Sequence, residues 1–113
     1  MRPRASLFFF FAIAACLGGI PQSTNEGINA RFSRAMELQR KGMWKEAESE
    51  YRALLKIAPK YAEAHANLGA VLVRLDKYPE AIRSYQTALK LAPNLTPIYL
   101  NIGIAHYRNA EFE

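Results

Sequence analysis

LKIAPKYAEAHANLG, residues 55–69, is two helix-forming stretches separated by a proline, and LKLAPNLTPIYLNIG, residues 89–103, repeats the arrangement 34 positions later. Superposed, the segments share Leu55/Leu89, Lys56/Lys90, Ala58/Ala92, Pro59/Pro93, Asn67/Asn101 and Gly69/Gly103. Proline lacks the N–H that continues a helix and pushes the residue before it out of helical geometry, so Ala58-Pro59 and Ala92-Pro93 should each end one helix ahead of the next. Upstream of those stops, Ala47, Tyr51 and Leu54 recur as Ala81, Tyr85 and Ala88. Spacings of four and three put each trio on one apolar stripe.

Each proline-ended helix is preceded by another. Gly42 closes the first of these and Asp76 stands near the matching stop; both residue types tolerate the left-handed backbone that ends many helices. An aromatic follows each stop, Trp44, Tyr78 and then Phe112, and Pro79 falls in a first turn, where its missing N–H is not needed. Ala35, Gly69 and Gly103 on the first helices are expected to face Ala47 and Ala81 on the second. A helix-interior glycine costs about 1 kcal/mol relative to alanine, so its recurrence argues for close helix contact.

Residue for residue, this resembles the tetratricopeptide repeat, with its 34-residue period and its W-x2-L-G-x2-Y, A-x3-F and P positions. The second unit reads His65-x2-Leu68-Gly69-x2-Leu72, Ala81-x3-Tyr85 and Pro93, and the third reads Tyr99-x2-Ile102-Gly103-x2-His106. In the first unit Leu38, Ala47, Tyr51 and Pro59 fit, while Arg31, Arg34 and Ala35 depart from the opening slots, as a terminal repeat does. The resemblance implies an all-α fold, antiparallel helix-turn-helix repeats stacked as a right-handed α-solenoid. On this reading residues 29–61 and 62–95 are complete repeats and 96–113 is a partial third, with its first helix and turn only. Tyr99, Ile102 and His106 should then lack a packing partner, and the chain reads as a fragment of a longer array.

Ahead of the repeats, Arg2 and Arg4 precede an uncharged apolar run, Ala5–Ile20, with small residues gathered at its end. Positive start, apolar middle and small-residue end are the order of a secretory signal peptide, assigned to residues 1–20. At 16 residues the run is shorter than the ~20 a spanning helix needs. Ile13-Ala14-Ala15-Cys16 resembles the bacterial lipobox, in which Cys16 would be lipidated and become the first mature residue. Ordinary cleavage nearby and an uncleaved anchor are the competing readings, and all three place the remainder outside the cytoplasm, periplasmic or envelope-associated. Residues 21–28 read as a flexible linker. The formal charge of +5 falls by two, to +3, without Arg2 and Arg4. That is too small and dispersed for a nucleic-acid partner. A single cysteine excludes an internal disulfide framework.

Catalytic chemistry is not indicated. No phosphate-binding glycine loop, paired catalytic carboxylates or H-E-x-x-H spacing occurs, and no metal or cofactor is implied. His65 and His106 occupy aromatic packing slots and read as core histidines, while Glu46, Glu48 and Glu50 with Lys45 and Arg52 read as a solvated helix face. The resemblance implies instead that successive first helices line a concave groove for an extended peptide or partner helix. Mapped here, the lining is Phe32, Met36 and Arg40, then Ala66, Ala70, Val73 and Arg74, then Leu100, Ile104, Tyr107 and Arg108. Arg40, Arg74 and Arg108 are either a rail for a partner's carboxylates or helix-end cations complementing the macrodipole. Chaperone-binding members of the family clamp a peptide carboxylate with lysine and asparagine; Phe32 and Met36 stand in those first-unit slots and only Asn67 agrees, so that activity is not carried over. The expected function is a non-catalytic, exported protein-interaction scaffold. Its alternatives are the N-terminal repeat region of a longer enzyme or envelope-assembly component, and a module self-associating through the exposed face of the third repeat.

Overall fold

Two left-handed residues 34 positions apart set the architecture: Gly42 at φ 75° and Asp76 at φ 60°. At each, the chain makes the paired bonds of a Schellman stop. Met43 N–H donates to Leu38 O (2.9 Å) and Gly42 N–H to Gln39 O (3.0 Å); Lys77 N–H donates to Leu72 O (2.9 Å) and Asp76 N–H to Val73 O (3.1 Å). The proline joints repeat as closely. Ala58 (φ −129°, ψ 73°) and Ala92 (φ −143°, ψ 86°) have left helical geometry, each still donating its N–H four residues back, to Leu54 O and Ala88 O at 2.8 Å. Steric pressure from the following proline ring accounts for both.

The computed structural model describes residues 25–112, all helix and turn. The signal segment, Cys16 and residues 21–24 of the linker lie outside the described residues. Helix α1 covers 25–40, α2 Trp44–Ile57, α3 Ala62–Arg74, α4 Tyr78–Leu91 and α5 Pro97–Phe112. Consecutive helices pack as hairpins, and α3 also touches α5, so first helices of successive repeats are neighbours. The result is an all-α helical-repeat solenoid.

Both expected stripes are buried: Ala47, Tyr51 and Leu54 on α2, and Ala81, Tyr85 and Ala88 on α4. Leu68, Val71 and Leu72 of α3 fill the space between them, and Ile98 of α5 extends the same core. Fully burying a side chain such as Leu54 or Leu72 contributes about 1.5–3 kcal/mol, so this apolar seam dominates the fold's stability.

Several expectations change. Residues 25–28 are helical rather than linker, because Ile28 and Phe32, four apart on one face, both pack against the core. At the other end α5 stays helical through Phe112, without the turn expected before it. The position matching Gly42 and Asp76 is Ala110, a strong helix former that resists left-handed backbone. Gly69 lies against the Tyr85 ring: a Cβ there would sit 2.7 Å from its Cδ1 and Cε1. Around Gly103, by contrast, there is open space.

Nor is the glutamate row of α2 simply solvated. Glu48 pairs with Arg52 (2.9 Å) and, across the repeat boundary, with Lys77 (3.0 Å), while Arg52 reaches Glu80 at 2.8 Å. Burial pushes the Glu48 carboxyl up, but the hydrogen bonds from Lys77 and Arg52 outweigh it and hold the group below the ordinary carboxylate range. Glu50 pairs with Arg31 and Arg34 of α1, and Glu46 is exposed. Half-exposed pairs of this kind contribute about 0–1 kcal/mol each, and they set register more than stability.

Candidate functional site

The first helices carry equivalent positions in columns 34 residues apart: Phe32, Ala66 and Leu100; Met36, Ala70 and Ile104; Gln39, Val73 and Tyr107. Leu100, Ile104 and Tyr107 follow one another by four and three on α5, and they are 69, 42 and 67% exposed. An apolar stripe so open is the unusual feature of this surface, because α5 buries its other side through Ile98 and Ala105. On α3 the same positions are Ala66, Ala70 and Val73, all half-buried, with Ala66 and Val73 packed on the core. Two alanines between larger residues keep the side chains short along the middle helix. Met36 is 48% exposed on the α1 side of it.

Phe32 is less available than its column suggests. Its ring stacks on Tyr61 (centroids 4.9 Å apart, 25° between planes) and meets the edge of Tyr51 at 6.2 Å. That aromatic cluster closes the α1–α2 end of the core, with the Tyr51 hydroxyl donating to Gln39 Oε1 at 2.7 Å.

The three arginines are each engaged locally. Arg40 donates twice to the Glu37 carboxylate, at 2.6 and 3.0 Å, three residues back on its own helix. Arg74 lies over the Trp44 ring, 4.7 Å from its centroid, a cation–π contact across the repeat boundary. Arg108 interacts with Tyr78, whose hydroxyl donates to Asp76 Oδ1 at 2.7 Å. Trp44 and Tyr78 are 34 apart, as are Arg74 and Arg108, so the aromatic after each stop meets the matching arginine of the next first helix. The Arg74 and Arg108 contacts are joints between units, whereas Arg40 is held within its own helix.

Both histidines leave their assigned core roles. His65 is half-buried with Nε2 2.8 Å from Pro59 O, and His106 is exposed. Tyr99 copies the His65 contact one period later, its hydroxyl donating to Pro93 O at 3.4 Å. Of the residues expected to lack a partner, Ile102 packs against the core while Tyr99 and His106 are exposed. Among the described residues no group of three or more His, Cys, Asp or Glu side chains is placed to hold a metal, and no helix is long and apolar enough to cross a membrane.

Residues 62–95 match the tetratricopeptide repeat family model. No curated protein matches the chain. Among solved structures, the chain is similar to the TPR2B domain in the TPR2B-domain:pHsp70 complex of yeast Sti1, at 27% identity and TM-score 0.70, covering 75% of this chain and 68% of that one. It is also similar to a tetratricopeptide repeat domain protein from Salinibacter ruber, at 20% identity and TM-score 0.59, covering 76% of this chain and 99% of that one; this second likeness bears on the fold alone.

Proposed function

Because the chain is a tetratricopeptide-repeat protein, we propose that it is a non-catalytic interaction scaffold, exported to the cell envelope, which holds an extended peptide or partner helix against the first-helix face. The open stripe of Leu100, Ile104 and Tyr107 carries this reading, since aliphatic and aromatic side chains this exposed lose water favourably when a partner covers them. The short side chains of Ala66 and Ala70 continue the stripe and let a partner backbone lie close. The yeast neighbour, solved in its pHsp70 complex, supports a polypeptide as the kind of ligand.

Selection from a displayed random-peptide library tests the groove. Peptides recovered on the native chain are expected to bind the Leu100→Asp/Tyr107→Asp variant about a hundred-fold more weakly, because two contact side chains at the centre of an interface carry about 1–2 kcal/mol or more each. Unchanged binding removes the groove. Export rests on the leader, with Cys16 as the lipid-bearing residue, and mass spectrometry of the mature N-terminus reads it. A start at a modified Cys16 is the expected result, and an unmodified start at any other residue refutes lipidation.

Self-association is favoured by one specific observation, the open space at Gly103 beside exposed Tyr99. A monomer in sedimentation at high concentration excludes it.

A further inference from the structure

A cleft of about 510 Å³ lies on the side of the molecule where α2 and α4 run alongside one another, floored by Leu55, Leu68 and Leu72. Its origin is a deficit of side-chain volume. The slot that holds Tyr99 in the third unit holds the smaller His65 in the second, and the ring of His65 is drawn to the α2–α3 turn by its contact with Pro59 O. Leu72 stands where the repeat pattern places a tyrosine. Two undersized residues about two helical turns apart on α3 thus leave the α2–α4 valley unfilled.

The rim gives the cleft a sign. Arg52 and Glu80 both line it and neutralise each other at 2.8 Å. Lys56 on the α2 wall and Arg83 on the α4 wall also line it, are exposed, and form no ion pair among the described residues. A leucine floor beneath two uncompensated cations selects an occupant with an apolar body and negative flanks. Its open mouth suits one large side chain carried on a passing polypeptide, as interface anchors are.

We infer that this outer cleft is a second docking site, distinct from the first-helix groove, for a partner polypeptide that inserts a large apolar side chain flanked by carboxylates. The chain's own leader is the wrong occupant, since Arg2 and Arg4 would meet Lys56 and Arg83 with like charge. A second copy of this chain is disfavoured by the same rule, because it is itself net basic.

Fluorescence anisotropy on the full chain decides the matter, with a labelled peptide carrying one phenylalanine between aspartates and two controls: phenylalanine replaced by alanine, and aspartates replaced by lysines. The acidic phenylalanine peptide is expected to bind about ten-fold or more tightly than either control, and to weaken as salt rises. Lys56→Glu/Arg83→Glu should abolish that preference; both positions are exposed, so the variant keeps its fold. His65→Tyr, which places a larger ring on the α3 wall of the cleft, should lower affinity by a similar factor while holding or raising the melting temperature. Leu100→Asp/Tyr107→Asp should leave this binding intact, which separates the outer cleft from the groove. Equal binding of the three peptides, or full affinity in both the charge-reversed and the filled variants, overturns the proposal.

Discussion

Raising the pH from 10 toward 12 is expected to unfold the protein in one cooperative step, driven by two buried phenols. Tyr51 and Tyr85 are both pushed up from 10.0 to about 12, chiefly by burial; at Tyr51 a hydrogen bond with Asn67 opposes the rise. The folded state therefore binds these protons more tightly than the unfolded chain does. Stability from that difference is fully present below pH 10 and disappears as the pH climbs through the folded value. A shift of two units corresponds to about 3 kcal/mol per group, and the pair together rivals the ~5–15 kcal/mol that a whole domain has available. Helical ellipticity and phenolate absorbance, followed together, should change in the same step for these two residues. Tyr85→Phe should move the transition to higher pH. Phenolate forming at all six tyrosines near pH 10 with helicity intact would contradict the account.

Gly69→Ala and Gly103→Ala are expected to have opposite signs although the two glycines hold the same place in the repeat. At Gly69 the new methyl would stand 2.7 Å from two carbons of the Tyr85 ring and 3.0 Å from a third. Tyr85 is buried and has no free end to swing away, so α3 and α4 must separate. Overpacking of this kind costs about 1–3 kcal/mol, more than the ~1 kcal/mol that alanine gains over glycine within a helix. At Gly103 no atom stands within 4 Å, and the helix preference acts alone. Thermal unfolding should show Gly69→Ala melting about 5–10 °C below the native chain and Gly103→Ala about 4–8 °C above it. Two shifts of the same sign would mean that the Gly69–Tyr85 contact is not what holds these helices close.

The difference between those glycines marks where the sequence stops being legible. Periodicity located the buried stripes of α2 and α4, the prolines located the joints, and Gly42 and Asp76 announced left-handed stops, because each is a local property of the chain. What a glycine faces is not local. Gly69 was paired with Ala81 by analogy of small sizes, whereas the aromatic four residues further along α4 takes the space. The Arg52–Glu80 and Lys77–Glu48 pairs join residues 28 and 29 apart, so they read as solvated charge until the helices are placed side by side. The stacking of Arg74 on Trp44 is likewise non-local, joining residues on different helices. The outer cleft is a shortage of volume shared by three helices, which no single stretch displays. One miss had a signal available: Ala110, at the position of Gly42 and Asp76, argued for helical continuation toward Phe112.

Apolar and charged contacts both cross the joint between units, and salt acts on only one of them. The aliphatic and aromatic seam that runs from α2 onto α3 is indifferent to electrolyte, whereas Glu48–Lys77, Arg52–Glu80 and the guanidinium on indole at the same joint weaken as ions accumulate. Added salt is therefore expected to loosen the charged rim of the joint while the buried seam keeps the units together.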